Sequence, residues 1–183
     1  MMYRILREVL RLGIAGEKPQ RTERDPASAS PSCFHHSLSI RHVDAGSCNG
    51  CELELNALNG PHYGLEQAGF RFTASPRHAD VLTVSGPVTR HMVAALQDCH
   101  NAMPEPRRVI AIGDCACCGG VFRGSYAVMD GLAVVLPVDL QIPGCPPNPD
   151  ALLHGLLQAS GERTEKRTDA GYCLDAQRLS TGG

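Results

Sequence analysis

Cys48 and Cys51 stand in the tetrapeptide CNGC, where Gly50 lets the chain turn so that both sulfurs face one point. Two thiolates at this spacing chelate a single metal centre well. Further candidates are Cys115, Cys117 and Cys118 in GDCACCGG, and Cys145 in PGCPP, each in a glycine-bearing segment that follows an apolar run. Glycines beside such ligands permit tight turns and bring backbone N–H groups close to inorganic sulfide, while proline after a ligand fixes the chain. Four thiolates from three loops also suit a zinc ion, but the flanking chemistry and the spacing favour an iron–sulfur cluster. Spacing alone does not choose among the three cysteines of the middle loop. Cys33, Cys99 and Cys173 lie outside these loops and read as tail thiols or small buried apolar residues.

Convergence of these loops requires a scaffold that ends several strands at one edge. From Leu38 onward the chain alternates short apolar runs with helix-like stretches, including SIRHVDAG, FRFTAS, ADVLTVSG, RRVIAIGD and LAVVLPVDLQIPG. That alternation predicts an α/β fold, a flavodoxin-like parallel sheet flanked by helices. The buried strands are expected over Val81–Ser85 and Val109–Gly113, whose continuous apolar character suits a sheet covered on both faces. In such folds ligands sit beyond the carboxyl ends of the strands, which is where the cluster is expected. Asn148 is the expected N-cap of the last helix, with Pro149 in its first turn.

The rest of the composition narrows the class. The chain has 183 residues, 43% of them hydrophobic, and a formal net charge of -2, which gives no electrostatic footprint for nucleic acid. Residues 1–37 read as a tail whose first dozen residues, with Met2, Ile5, Leu6, Val9 and Leu12 at helical spacing, form a short amphipathic helix. Residues 38–160 form the α/β iron–sulfur domain, and 161–183 are expected to be disordered because they are polar and aperiodic. Arg4, Arg7, Glu8 and Arg11 interrupt the N-terminal apolar stretch, so a secretory signal is not expected. Thiols in a reducing compartment then point to metal or redox chemistry rather than to disulfides.

The runs DAGSCNGCELELNAL, SPRHADVLTVSGPVTR, AIGDCACCGG and PVDLQIPGCPPNPDALLHGL together resemble the small, electron-transferring subunit of the membrane-associated group 4 NiFe hydrogenases, the class that includes formate hydrogenlyase. The same motif order occurs in the homologous cluster-bearing subunit of respiratory complex I. That relative begins its ligand set with two adjacent cysteines, whereas Cys48 and Cys51 supply the hydrogenase-type Cys-x-x-Cys.

The resemblance implies that Cys115 is the ligand of the middle loop, so that Cys48, Cys51, Cys115 and Cys145 bind one 4Fe-4S cluster. It also implies a proximal position for that cluster, beside a NiFe centre in a separate large subunit, with electrons passing on to a ferredoxin-like iron–sulfur subunit. Membrane subunits would complete the complex, and this chain would lie peripherally on the cytoplasmic face of the inner membrane. Cys117 and Cys118 depart from the family's usual filler residues, which leaves other ligation or redox sensitivity open.

Glu54 occupies a position where both relatives carry a carboxylate, and it is the candidate for moving protons to or from the NiFe centre, with Glu52 beside it. A helix N-terminal carboxylate that answers the dipole is the plainer reading. The eight histidines show no ligand spacing and read as surface or packing residues. Two other functions remain: a complex I-type quinone oxidoreductase subunit, and a zinc-stabilised structural protein.

Overall fold

The computed structural model describes residues 37–160. The expected N-terminal amphipathic helix and the segment 161–183 lie outside the described residues.

Five parallel strands form one sheet: β1 (Leu38–Asp44), β2 (Phe70–Phe72), β3 (Val81–Ser85), β4 (Arg108–Ile112) and β5 (Leu140–Ile142). Their order across the sheet is β2-β1-β3-β4-β5, the doubly wound order expected of a flavodoxin-like fold. Among the described residues four α-helices connect or flank them: α1 (Gly50–Leu58), α2 (Val93–Ala102), α3 (Gly113–Cys118) and α4 (Pro149–Ser160).

Strand alternation sorts the core into two layers. On one face Leu38, Ile40, Val81, Ile110 and Ile142 meet Leu55 and Leu58 of α1 and Leu152 and Leu156 of α4. On the other, Leu82, Val84, Val109 and Ala111 pack with Leu96 of α2, Ala116 and Cys117 of α3, and Leu132. Neither face of the central strand β3 reaches water, since all five of its residues are buried, and this is why its sequence reads as an apolar run.

One expectation shifts. The strand expected over Val109–Gly113 runs Arg108–Ile112, and Gly113, at φ +84°, instead opens α3. The apolar run after Gly131 is not an extended strand: Leu132–Val134 form a 3-10 turn, and only Leu140–Ile142 pair with β4. The expected cap of α4 is present, with the Asn148 Oδ1 accepting from the Ala151 N–H at 2.8 Å.

β1 is the switch point of the sheet, because the chain leaves it for β2 on one side and β3 pairs with it on the other. The loop that carries Cys48 starts there.

Candidate metal centre

The loop after β1 is shaped by one carboxylate. Asp44 accepts hydrogen bonds from the backbone N–H groups of Gly46 at 2.8 Å and Ser47 at 2.6 Å. Partial burial pushes the Asp44 acid up, but these donors outweigh it and hold the group below its ordinary range. Gly86, after β3, presses on the same loop: a Cβ there would stand 2.5 Å from the Ser47 nitrogen. The loop after β3 thus contributes a buttress and no thiol.

Cys48 is exposed at the end of this loop, and Cys51 is half-buried in the first turn of α1. A Cβ on Gly50 would lie 3.5 Å from the Cys48 Sγ and 3.8 Å from Pro146, which puts the β1 loop beside the β5 loop. Gly113 touches Cys51 from the β4 side, where a Cβ would meet its Sγ at 2.7 Å. A second tie joins the β4 and β5 loops: the Asp114 N–H donates to the Gly144 carbonyl at 2.9 Å, and the Gly144 N–H donates to the Asp114 Oδ1 at 2.8 Å. Cys145, exposed, follows directly.

Electrostatics record the same convergence. The Cys51 thiol is pushed up to about 12, first by burial, then by the Glu52 charge and by Cys115, Cys48 and Cys145. Cys115 is also raised, by burial and then by Cys145 and Cys48. The Cys51 and Cys115 thiols, both raised in this way, need a cationic centre to become thiolates.

Helical rotation gives the three thiols of this segment different surroundings. Cys115 faces Gly120, whose Cβ would come 3.0 Å from its Sγ. Cys117, about 200° further around α3, is buried in the core with its thiol toward the Ala111 carbonyl at 3.9 Å. Cys118 stands at Cys-x-x-Cys spacing from Cys115, yet its thiol donates to the Asp114 carbonyl of its own helix at 3.4 Å. Cys99 is half-buried on α2, packed against the second core layer. Among the described residues no three His, Cys, Asp or Glu side chains form a group that could hold a metal ion. The all-sulfur donor set and the glycines set against Cys51 and Cys115 fit an iron–sulfur cluster, the group that needs both thiolates and closely approaching backbone.

Of the two acidic candidates, Glu54 is half-buried on α1, and its side chain makes no hydrogen bond or ion pair with the described residues. Glu52 is the partnered one. Its carboxylate accepts from the Ser47 hydroxyl at 2.7 Å and from the Ser85 hydroxyl, and lies 3.5 Å from the His42 Nε2. Burial pushes Glu52 up, and the two hydroxyl donors more than reverse it. His42 in turn lies 3.2 Å from both Thr83 Oγ1 and Ser85 Oγ, and burial keeps its imidazole below the ordinary range despite Glu52. A cleft of about 400 Å³ opens beside this cluster, lined by Arg41, His42, Glu52, Asn56, Phe72 and Thr73. Reading the histidines as packing residues missed this role of His42. The available signal was Glu52 at i−3 from Leu55, on the core side of α1.

The sequence family described as NADH ubiquinone oxidoreductase, 20 Kd subunit, matches residues 48–159. A probable membrane-bound hydrogenase subunit, mbhJ, of Pyrococcus furiosus is 45% identical over 120 residues, 66% of this chain and 72% of that protein. A subunit of the NADH-quinone oxidoreductase of Geobacter metallireducens is 42% identical over 132 residues, 72% of this chain and 77% of that protein. Among solved structures, a chain of the membrane-bound sulfane sulfur reductase, an archaeal respiratory membrane complex, superposes with a TM-score of 0.60 at 30% identity, covering 80% of this chain and 85% of that one. An NAD+-reducing [NiFe]-hydrogenase chain shares the fold at 18% identity, with a TM-score of 0.52 over 68% of this chain and 93% of its own. With a family match across most of the described domain and relatives above 40% identity, this chain belongs to the family of the NADH ubiquinone oxidoreductase 20 Kd subunit.

Proposed function

We propose that this chain is the electron-transfer subunit of a membrane-associated NiFe hydrogenase complex, in which Cys48, Cys51, Cys115 and Cys145 hold one 4Fe-4S cluster. What supports this reading is that Cys48, Cys115 and Cys145, from three loops, all lie near enough to act on the Cys51 thiol, with Gly113 backing onto Cys51 and Gly120 onto Cys115. The cluster, when bound, supplies one-electron transfer. The chain's own residues provide the thiolates, close the bay on the sheet side and present its rim.

Exposed apolar side chains follow the cysteines of α1 and α3 in sequence: Leu53 is 61% exposed, Val121 84% and Tyr126 90%. These side chains are proposed to contact the large subunit that carries the NiFe centre. A ferredoxin-like subunit receives or supplies the electrons, and membrane subunits anchor the assembly on the cytoplasmic face. Among the described residues no helix is long and apolar enough to cross a membrane, which accords with a peripheral position. Glu54, half-buried three residues beyond Cys51, is proposed to pass protons at that interface. Glu54→Gln, with the cluster intact, is expected to slow hydrogen turnover; unchanged turnover removes the proton role.

The 42% identity to an NADH-quinone oxidoreductase subunit favours a second reading, a subunit of a quinone-reducing complex. Anaerobic purification of the intact assembly decides, with iron, sulfide and nickel counted and the reduced protein examined by electron paramagnetic resonance. A 4Fe-4S signal with nickel supports the hydrogenase reading, and the signal without nickel supports the second. Zinc with no signal overturns both in favour of a structural protein.

A further inference from the structure

The polar group of side chains beneath the first turn of α1 supplies no cluster ligand. It contains Glu52, Ser47, Ser85, His42 and Thr83, and it sits where the neighbouring core is otherwise aliphatic. Thr83 and Ser85 are fully buried on β3, an expensive place for hydroxyls unless each is bonded. Glu52 is the centre of this group, because one carboxylate joins three separately built pieces of chain.

One oxygen takes the hydroxyl of Ser47, the residue before Cys48. The other takes the hydroxyl of Ser85, at the end of β3. Glu52 itself follows Cys51 in α1. Ser47 Oγ also accepts from the Asn49 N–H at 3.1 Å, so the segment from Ser47 to Glu52 is bonded at both ends around the two cysteines.

Resting on the reading of the four cysteines as cluster ligands, we propose that Glu52 is a positioning residue. Its carboxylate pins the Cys48 loop and the Cys51 turn to β3, so the two sulfurs keep their spacing before anything is bound between them. A preset pair spares the incoming cluster the ordering of a flexible loop, and it slows escape of iron once bound. Charge is secondary in this role, since a glutamine could accept from one serine and donate to the other, whereas a methionine of similar length could do neither.

The test uses the full chain, reconstituted anaerobically with ferrous iron and sulfide and reduced with dithionite. Glu52→Met is expected to lose iron to a chelator severalfold faster than the parent and to show an altered resonance line shape, while Glu52→Gln restores most of both. Ser47→Ala with Ser85→Ala, which leaves Glu52 in place, is expected to reproduce Glu52→Met; it also decides the matter if Glu52→Met does not fold. The proposal is overturned if the double serine variant holds iron with the parent's rate and line shape, or if Glu52→Gln is as defective as Glu52→Met. A parent chain that takes up no iron and gives no signal overturns the ligand assignment itself, an outcome distinct from either.

Discussion

The sulfur of Cys51 lies against the backbone of Gly113, so closely that a Cβ on that glycine would stand 2.7 Å from it. This contact joins the turn after β1 to the turn after β4 at the point where two of the proposed ligands meet. Gly113→Ala therefore meets two penalties: a left-handed φ of +84° and a collision with the thiol. The strain alone is worth about 1–3 kcal/mol. Gly124, at φ +76° with nothing within 4 Å of its would-be Cβ, isolates that strain. Chemical denaturation should show both alanine variants destabilised, and iron content after reconstitution should fall only for Gly113→Ala. Full iron in Gly113→Ala would falsify the close approach.

Serine replacements separate the proposed ligands from the other thiols. Cys48→Ser, Cys51→Ser, Cys115→Ser and Cys145→Ser should each abolish or strongly reduce the 4Fe-4S signal. Cys118→Ala should keep it, because that thiol is committed to the Asp114 carbonyl. Cys117→Ala should keep it too, at a stability loss of roughly 1 kcal/mol for a small cavity in the core. Retention of the signal in Cys115→Ser with its loss in Cys118→Ala would reverse the assignment within the middle loop.

Asp114 carries no ligand atom in the proposed set, yet it should matter to Cys145. Its carboxylate accepts from the Gly144 N–H at 2.8 Å, fixing the residue before that cysteine. Asp114→Ala is expected to lower stability by about 1.5–3 kcal/mol, the range for a hydrogen bond to a charged group. Iron should also be lost to a chelator faster than from the parent. Equal rates would mean that the β5 loop holds its shape without this bond.

His42 gives the domain an acid-side weakness. Burial holds its imidazole below the ordinary value of 6.5, more strongly than Glu52 and Asp44 raise it. An unfolded chain takes up the proton near pH 6.5, and the folded chain does so only at lower pH. Between those two values the unfolded state binds more protons, so the stabilisation present above pH 6.5 is lost as pH falls toward the folded value. Urea titrations of the full chain from about pH 7.5 to about 5.5 should show this loss, and His42→Gln should flatten part of it. His100, shifted in the same direction first by burial and then by Arg107, keeps the remainder. A variant as steep as its parent would remove His42 from the account.

Local pattern carried a good deal of this protein. The apolar runs ending in glycine named β3 outright and β4 to within a residue at each end, because a strand buried on both faces needs side chains that read the same in any neighbourhood. Asn148 and Pro149 announced α4, since a cap depends only on the few residues around it. The spacing of Cys48 and Cys51 fixed their nearness for the same reason.

Other features waited for the fold. The three thiols of GDCACCGG differ only in their angle around α3, and which angle faces the bay depends on where Ala116 and Cys117 meet the sheet. Glu52 and Glu54 are both carboxylates near the start of α1, and the sequence pointed to Glu54. They part because strand alternation on β1 and β3 puts His42 and Ser85 beneath one of them, 10 and 33 residues away along the chain. Periods of two and 3.6 residues are written locally, but which strand becomes a neighbour is settled by packing between distant segments, and that packing decides which polar groups find a partner.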